Sequence, residues 1–329
     1  MKFAGAFGHG AEYSGGAPGS PPGYNPRGMT GPHHDAGREA AELRTDSHPR
    51  TFGTNRYVYA VLSRRARGVS IGINVNPDKA CNFACVYCQV DRTVPPAVTG
   101  VDEGRLLEEL EAMLAAAAAG RLAELAAVDG VPPALRRVAD VAFSGDGEPT
   151  SWPGWPELVP RVGELLERYL PGVPMTLITN ASLFHLERVR RGLDALAARG
   201  GRVWAKLDAG TEERFHHVNG TTIPFARVLD NIRGEARRRP VVVQSLFFRE
   251  AGVAPAREEI EAWAARLAEI RAAGGTIAEV QVTTVARRPP SPEITALSPG
   301  ELEEIAAAAR RALPGSRVET WPARPEDGR

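Results

Sequence analysis

Cysteine is almost absent from this chain, with three in 329 residues. So small and odd a number leaves no room for an internal disulfide framework and suits a reducing compartment, so a cytoplasmic protein is expected. Net charge is missing too: 40 basic residues cancel 40 acidic ones, and no global field gathers nucleic acid or anionic lipid. A local basic patch remains compatible with that balance. No run of about 18 apolar residues suggests a membrane span. The start, Met1-Lys2-Phe3-Ala4, lacks an apolar stretch of signal length, so secretion is not expected. The 43% apolar content is enough for a sizeable core, arranged as one large α/β barrel or two modest domains.

The three cysteines are not scattered. All fall within Cys81-Asn-Phe-Ala-Cys85-Val-Tyr-Cys88. The C-x3-C-x2-C spacing lets one tight loop wrap three thiolates around one inorganic centre. Cys thiolates hold iron–sulfur clusters, usually four to a four-iron cluster, so three leave one iron open to a ligand. Soft thiolates also select zinc. A structural zinc site normally takes four ligands in paired spacings, and no second pair exists here. Burial as ordinary core cysteines would not cluster them so tightly.

This octapeptide, with Tyr87 before the last cysteine, resembles the signature of the radical S-adenosylmethionine (radical SAM) superfamily. The resemblance implies a 4Fe-4S cluster on Cys81, Cys85 and Cys88. It also implies S-adenosyl-L-methionine chelated by the open iron, and an electron donor such as flavodoxin or ferredoxin. The implied chemistry is reductive cleavage to a 5′-deoxyadenosyl radical that takes a hydrogen atom from substrate.

Residues 1–55 are rich in Gly and Pro and poor in apolar periodicity, which predicts a flexible arm before a single domain over 56–329. His33-His34 in that arm reads as a solvated pair. From Tyr57 the pattern changes. Tyr57–Arg65 leads into a β-branched run, Gly68–Asn76, with the cysteine loop directly after it. A long helix is expected from Asp102 to Val128, with Leu106, Leu107, Leu110, Met113 and Leu114 on its core face. Strands follow at Val138–Ser144, Met175–Thr179, Arg202–Asp208, Pro240–Phe248 and Ala278–Val285. Helices between them run over 157–169, 183–199, 224–237 and 255–273, with a last one over 299–313. Arg317–Trp321 is a candidate edge strand. Strand–helix alternation argues for a parallel sheet of right-handed crossovers. The fold expected is α/β, a partial (β/α)6 TIM-like barrel, which the resemblance independently implies.

Active sites of parallel barrels gather at the C-terminal ends of the strands. The second strand there delivers Ser144-Gly145-Asp146-Gly147-Glu148-Pro149-Thr150, similar to the superfamily's element that bonds the methionine amine. It departs from that element in carrying Asp146 between the glycines. The third delivers Asn180 and Ser182, able to bond a ribose hydroxyl or to cap a helix. The fourth delivers Lys206 and Asp208. A lysine in an apolar strand is costly to bury unpaired, so Lys206 is expected at the mouth. There it binds a cofactor carboxylate, pairs with Asp208, or forms a Schiff base with a carbonyl substrate. Gln244 and Arg287 are further candidates.

Ser63-Arg64-Arg65, Gly72, Gly147-Glu-Pro-Thr150 and Lys206-Leu-Asp-Ala-Gly-Thr-Glu-Glu213, with Phe215 and Val218-Asn219, resemble the wyosine-synthase-related branch over most of residues 57–290. Members of known function build a tricyclic tRNA base with pyruvate, a lysine Schiff base and a second cluster. This chain has no cysteines left for a second cluster. Its substrate is therefore open among a small molecule, tRNA and a partner protein that receives a glycyl radical. A tRNA substrate predicts Arg64, Arg65 and Arg287 lining the mouth. A zinc-binding scaffold is the non-enzymatic alternative, and no cobalamin-type domain is visible.

Overall fold

The computed structural model describes residues 53–121, 131–287 and 289–323. Packing divides the chain into two units, Met1–Arg38 and Glu39–Arg329, and all that follows belongs to the second. Most of the Gly- and Pro-rich arm, with His33 and His34, lies outside the described residues.

The chain enters by a hairpin: β1 (Val58–Ser63) pairs antiparallel with β2 (Gly68–Ile73). Gly72 is needed there because the Tyr59 ring lies over it; a Cβ would fall 2.2 Å from that ring. From β2 onward every neighbouring pair in the main sheet is parallel. It continues through β3 (Val138–Phe143), β4 (Met175–Thr179), β5 (Arg202–Lys206) and β6 (Val241–Leu246). β7 (Arg249–Glu250) and β9 (Ile294–Thr295) form a separate antiparallel pair. β8 (Ile277–Thr283) and β10 (Val318–Trp321) complete the main sheet, ordered β1-β2-β3-β4-β5-β6-β8-β10. The sheet curls into a half-barrel, the partial barrel expected.

Each crossover supplies a helix whose apolar stripe covers the sheet. These are α1 (Glu103–Ala118), α2 (Trp155–Tyr169), α3 (Glu187–Ala198), α4 (Glu212–Asn219), α5 (Phe225–Arg238), α6 (Arg257–Ala272) and α7 (Pro299–Ala312). Buried Leu106, Leu110, Met113 and Leu114 recur at helical spacing on α1, and Trp155, Leu158, Val159 and Val162 on α2. Ser298 and Glu301 close a capping box on α7. α1 stops earlier than its alanine-rich sequence predicts: Gly120, at φ 71°, turns the chain out of the helix. The predicted continuation to Val128 falls mostly outside the described residues.

α4 was not foreseen. Eight residues with Phe215 and Val218 as its main apolar contacts give too short a period to read. The two edges of the barrel meet through side chains. Arg64 Nη1 donates to the Pro322 carbonyl at 2.6 Å, and Arg67 pairs with Glu319 at 3.0 Å. Among the described residues no helix is long and apolar enough to cross a membrane.

Candidate active site

The cysteine loop leaves β2 through Asn74 and Asn76, both buried. Asn74 Oδ1 accepts the Asn76 and Asp146 amides at 3.1 and 3.2 Å, and its Nδ2 donates to Asp146 Oδ2 at 2.7 Å. The segment after β3 thus lies against the exit from β2, and glycine makes the approach possible. A Cβ on Gly145 would fall 2.2 Å from Asn74 Oδ1, and one on Gly147 only 1.8 Å from the Ala80 carbonyl oxygen. These two glycines serve contact with the residues leading into Cys81.

α4 supports the loop from the other side. Ala84 and Val86 donate their amides to the Asn219 and Val218 carbonyls, both at 2.9 Å. Gly220 ends α4 with φ 54°, close under the Ala84 carbonyl. Phe83 packs edge-on against Phe215, which stacks on Phe225 with centroids 4.8 Å apart. Asn82 ties the loop to β4: its Nδ2 donates to Ser182 Oγ and its Oδ1 accepts Asn180 Nδ2, each at 2.7 Å. Asn180 Oδ1 in turn accepts the Ser182 amide and hydroxyl. Neither residue caps α3, which begins at Glu187 behind Leu186.

All three thiols are free and partly exposed. Burial raises the Cys81 thiol, and burial with the Asp208 charge pushes Cys85 up to about 12. Nitrogen donors reach two of the sulfurs. Asn219 Nδ2 lies 3.4 Å from Cys85 Sγ, and Arg92 Nη1 lies 3.3 Å from Cys88 Sγ. Arg92 also donates to the Lys79 and Asp146 carbonyls, joining the loop to the segment after β3. Among the described residues, no three His, Cys, Asp or Glu side chains are arranged to hold a single metal ion.

Asp208 is the hub of the mouth. Its Oδ1 accepts Lys206 Nζ at 3.0 Å and the Leu246 amide at 2.8 Å. Its Oδ2 accepts the Tyr87 hydroxyl, in a short hydrogen bond, and Asn219 Nδ2 at 3.4 Å. Lys206 Nζ also stands over the Tyr87 ring, 5.4 Å from its centroid. Burial, then the Asp208 charge, raises the Tyr87 phenol well above its ordinary value and keeps it a donor. Of the roles open to Lys206 from sequence, pairing with Asp208 is the one seen.

Glu148 faces inward. It is 2% exposed; Oε1 accepts the Thr150 amide and the Thr150 and Thr179 hydroxyls, and Oε2 accepts the Asn180 amide. It therefore pins the end of β3 to the end of β4 and caps the short 3-10 turn Pro149–Ser151. Burial raises its carboxyl, and those hydrogen bonds offset the rise only in part. Gln244 is buried as well and donates to Gln281 Oε1 at 2.9 Å.

A cavity of about 290 Å³ opens inside the barrel, bordered by Tyr87, Cys88, Gly145, Lys206 and Gln244. Arg64, Arg65 and Arg287 stand in its wall, and among the described residues no carboxylate does. A second cavity of about 210 Å³ shares Ser63, Arg65, Gly145, Ile178 and Arg287 with the first, and reaches Asp140 and Trp204. Sequence reasoning missed Asn82, Arg92, Asn219 and Asp140. Asn219 had a signal as part of a branch motif whose purpose was unread, and Asn82 lay inside the cysteine motif.

A parallel half-barrel with three thiols on the loop after its first parallel strand, beside an interior cavity, defines a class of barrel that gathers its chemistry at the strand ends. The family comparison agrees. The model of the Radical SAM superfamily matches residues 75–250, just over half of the chain, and the chain belongs to that superfamily. A UPF0026 protein of Helicobacter pylori is 27% identical over 248 residues, 74% of this chain and 70% of that protein. Among solved structures, a radical SAM methyltransferase from Sphaerobacter thermophilus superposes with a TM-score of 0.55 at 14% identity, covering 82% of this chain and 70% of its own. TYW1 with a lysine-pyruvate adduct bound superposes with a TM-score of 0.50 at 14% identity, covering 80% of this chain and 86% of its own. At such identities the likeness is one of fold.

Proposed function

We propose that the chain is a cytoplasmic radical SAM enzyme holding one 4Fe-4S cluster on Cys81, Cys85 and Cys88, with S-adenosyl-L-methionine beside it. The observation that carries this is the donor set: three thiols on one braced loop, with side-chain N–H groups directed at two of the sulfurs. The set fits the group. Burial keeps the Cys81 and Cys85 thiols protonated until a cationic centre displaces their protons, and N–H donors to sulfur are the usual outer shell of a cluster. Among the described residues no three acidic, His or Cys side chains converge on one ion, and a cluster takes each thiolate on a different iron.

Bound together, cluster and S-adenosylmethionine supply one-electron cleavage of the sulfonium and a 5′-deoxyadenosyl radical that abstracts hydrogen. The chain's own residues do the rest. Asn74, Gly145, Asp146 and Gly147 hold the cysteine loop against β3, with Glu148 and Pro149 fixing that segment. Asn180 and Ser182 brace it through Asn82. Tyr87 and Lys206 border the cavity with Asp208, their shared acceptor, behind them; Lys206 is offered to an anionic group there, and Gln244 closes a polar wall below. A flavodoxin- or ferredoxin-like donor delivers the electron. The arginines line an interior wall, which suits a small anion better than a polynucleotide.

The test is anaerobic reconstitution with iron and sulfide, then dithionite and S-adenosylmethionine, with Cys85→Ala as control. About four irons per chain and 5′-deoxyadenosine that disappears in the variant are expected. Zinc in place of iron, or no cleavage by either protein, would leave a metal-binding scaffold.

A further inference from the structure

The deeper part of the barrel holds three polar groups short of hydrogen-bond partners among the described residues, and they surround one cavity. Arg65, in the turn between β1 and β2, lays its guanidinium over the Trp204 ring, 5.7 Å from the centroid. Among the described residues, no hydrogen bond or ion pair reaches it. Burial, then the Arg64 charge, lowers it to about 10, an effect that nearby Asp140 opposes. Asp140 is 4% exposed; its Oδ2 accepts the Thr176 hydroxyl at 2.8 Å and the Ser70 hydroxyl stands beside the same carboxyl, while among the described residues no hydrogen bond of good geometry reaches its Oδ1. Trp204 Nε1 is likewise buried and unpartnered. All three residues line the smaller cavity, and Arg65 lines the larger one beside Cys88 as well. Buried polar groups left unmade are costly, so such a set is what a bound ligand completes.

We propose that Arg65 and Asp140 select the substrate, a small 2-hydroxy or 2-amino carboxylate, taking the cavity as the substrate chamber of the enzyme proposed above. The carboxylate receives the Arg65 fork, and its oxygens also answer Trp204 Nε1. The neighbouring O–H or N–H donates to Asp140 Oδ1. A plain carboxylic acid satisfies the two donors and leaves Asp140 unanswered. A phosphate satisfies the same donors and sets its second charge against Asp140. The pair therefore reads a donor next to an anion, which neither group reads alone.

Binding to the full chain before cluster loading tests this without turnover. The probes are L-lactate, L-serine, propionate, inorganic phosphate and S-adenosylmethionine, followed by calorimetry and tryptophan fluorescence. Saturable binding of lactate or serine is expected, with propionate and phosphate at least about tenfold weaker. Arg65→Gln should lose at least about tenfold in affinity, and Arg65→Lys should keep part of it. Asp140→Asn should erase the preference for lactate over propionate; thermal melting checks that each variant is folded. No acid binding to the native chain, or equal binding by Arg65→Gln, overturns the assignment. So does loss of S-adenosylmethionine binding alone, which would give the pair to the cosubstrate. Cleavage of S-adenosylmethionine by the reconstituted native enzyme is measured separately. Cleavage without acid binding removes only this inference, and acid binding without cleavage removes only the enzymatic reading.

Discussion

Gly147→Ala is the sharpest probe of how the cysteine loop is positioned. One methyl group would place carbon 1.8 Å from the Ala80 carbonyl oxygen and 2.7 Å from Asn76 Cβ. Non-bonded carbon and oxygen need at least about 3 Å, so the backbone ahead of Cys81 must retreat by about 1 Å or more. Neither neighbour is a flexible side-chain tip: one is main chain, the other a Cβ anchored by the Asn76–Ser151 hydrogen bond. Overpacking of this kind costs about 1–3 kcal/mol, a loss of roughly 2–10 °C in Tm for a domain this large. The larger consequence is local. A site tolerates errors of about 0.5 Å in its ligands, so the variant should fold, melt earlier, and retain clearly less iron and sulfide after reconstitution. Gly234→Ala is the matched control. Gly234 lies inside α5 with open space at its Cβ position, so the same change should stabilise by about 1 kcal/mol and leave iron content alone. Native iron stoichiometry and an unchanged electron paramagnetic resonance signal in Gly147→Ala would refute the reasoning.

Two further outcomes follow from the buried carboxylates. Asp208→Asn removes the partner of Lys206 and a strong acceptor of Tyr87, and should cost about 2–4 kcal/mol in urea denaturation. Asp208→Asn combined with Lys206→Met should cost less than the separate losses added, by about 1 kcal/mol or more; strict additivity would show the pair is uncoupled. Glu148, raised by burial, takes up its proton in the native state before the unfolded chain does. Stability from this group therefore rises as pH falls from neutrality towards the unfolded carboxyl value. Glu148→Gln should remove that contribution, seen as a changed slope of the urea midpoint between about pH 7 and 5. An identical slope in both proteins would refute it.

The parts legible in sequence were those written locally. Three cysteines in eight residues, and strands alternating with amphipathic helices, carry their meaning within short windows, so the half-barrel and the thiol loop were both anticipated. What escaped was created by closure of the chain. Tyr87 and Asp208 stand 121 positions apart, and Asn219 and Cys85 stand 134 apart; no periodicity relates them. The Gly-Asp-Gly stretch was visible, but its neighbour was not. The glycines admit the protein's own backbone, and the glutamate after them is spent on Thr150, Thr179 and Asn180. Asn180 and Ser182 read equally as groups for a ribose hydroxyl and as a helix cap, the latter because Asn and Ser often are one. Their partner, Asn82, sits inside the cysteine motif itself, where attention falls on sulfur.

The contacts of Arg64 with Pro322 and of Arg67 with Glu319 give the barrel a seam. Everywhere else around the wall, adjacent strands are stitched by main-chain hydrogen bonds; at this line the two edges are only buttoned by arginines. The exposed Arg67–Glu319 pair contributes about 0–1 kcal/mol, and Arg64–Pro322 is a single half-buried hydrogen bond to a carbonyl. The wall is thus stiff around most of its circumference and compliant along one longitudinal line. That line carries Arg64 and Trp321, both of which face the interior chamber. The chain's entry hairpin and its last strand flank that line.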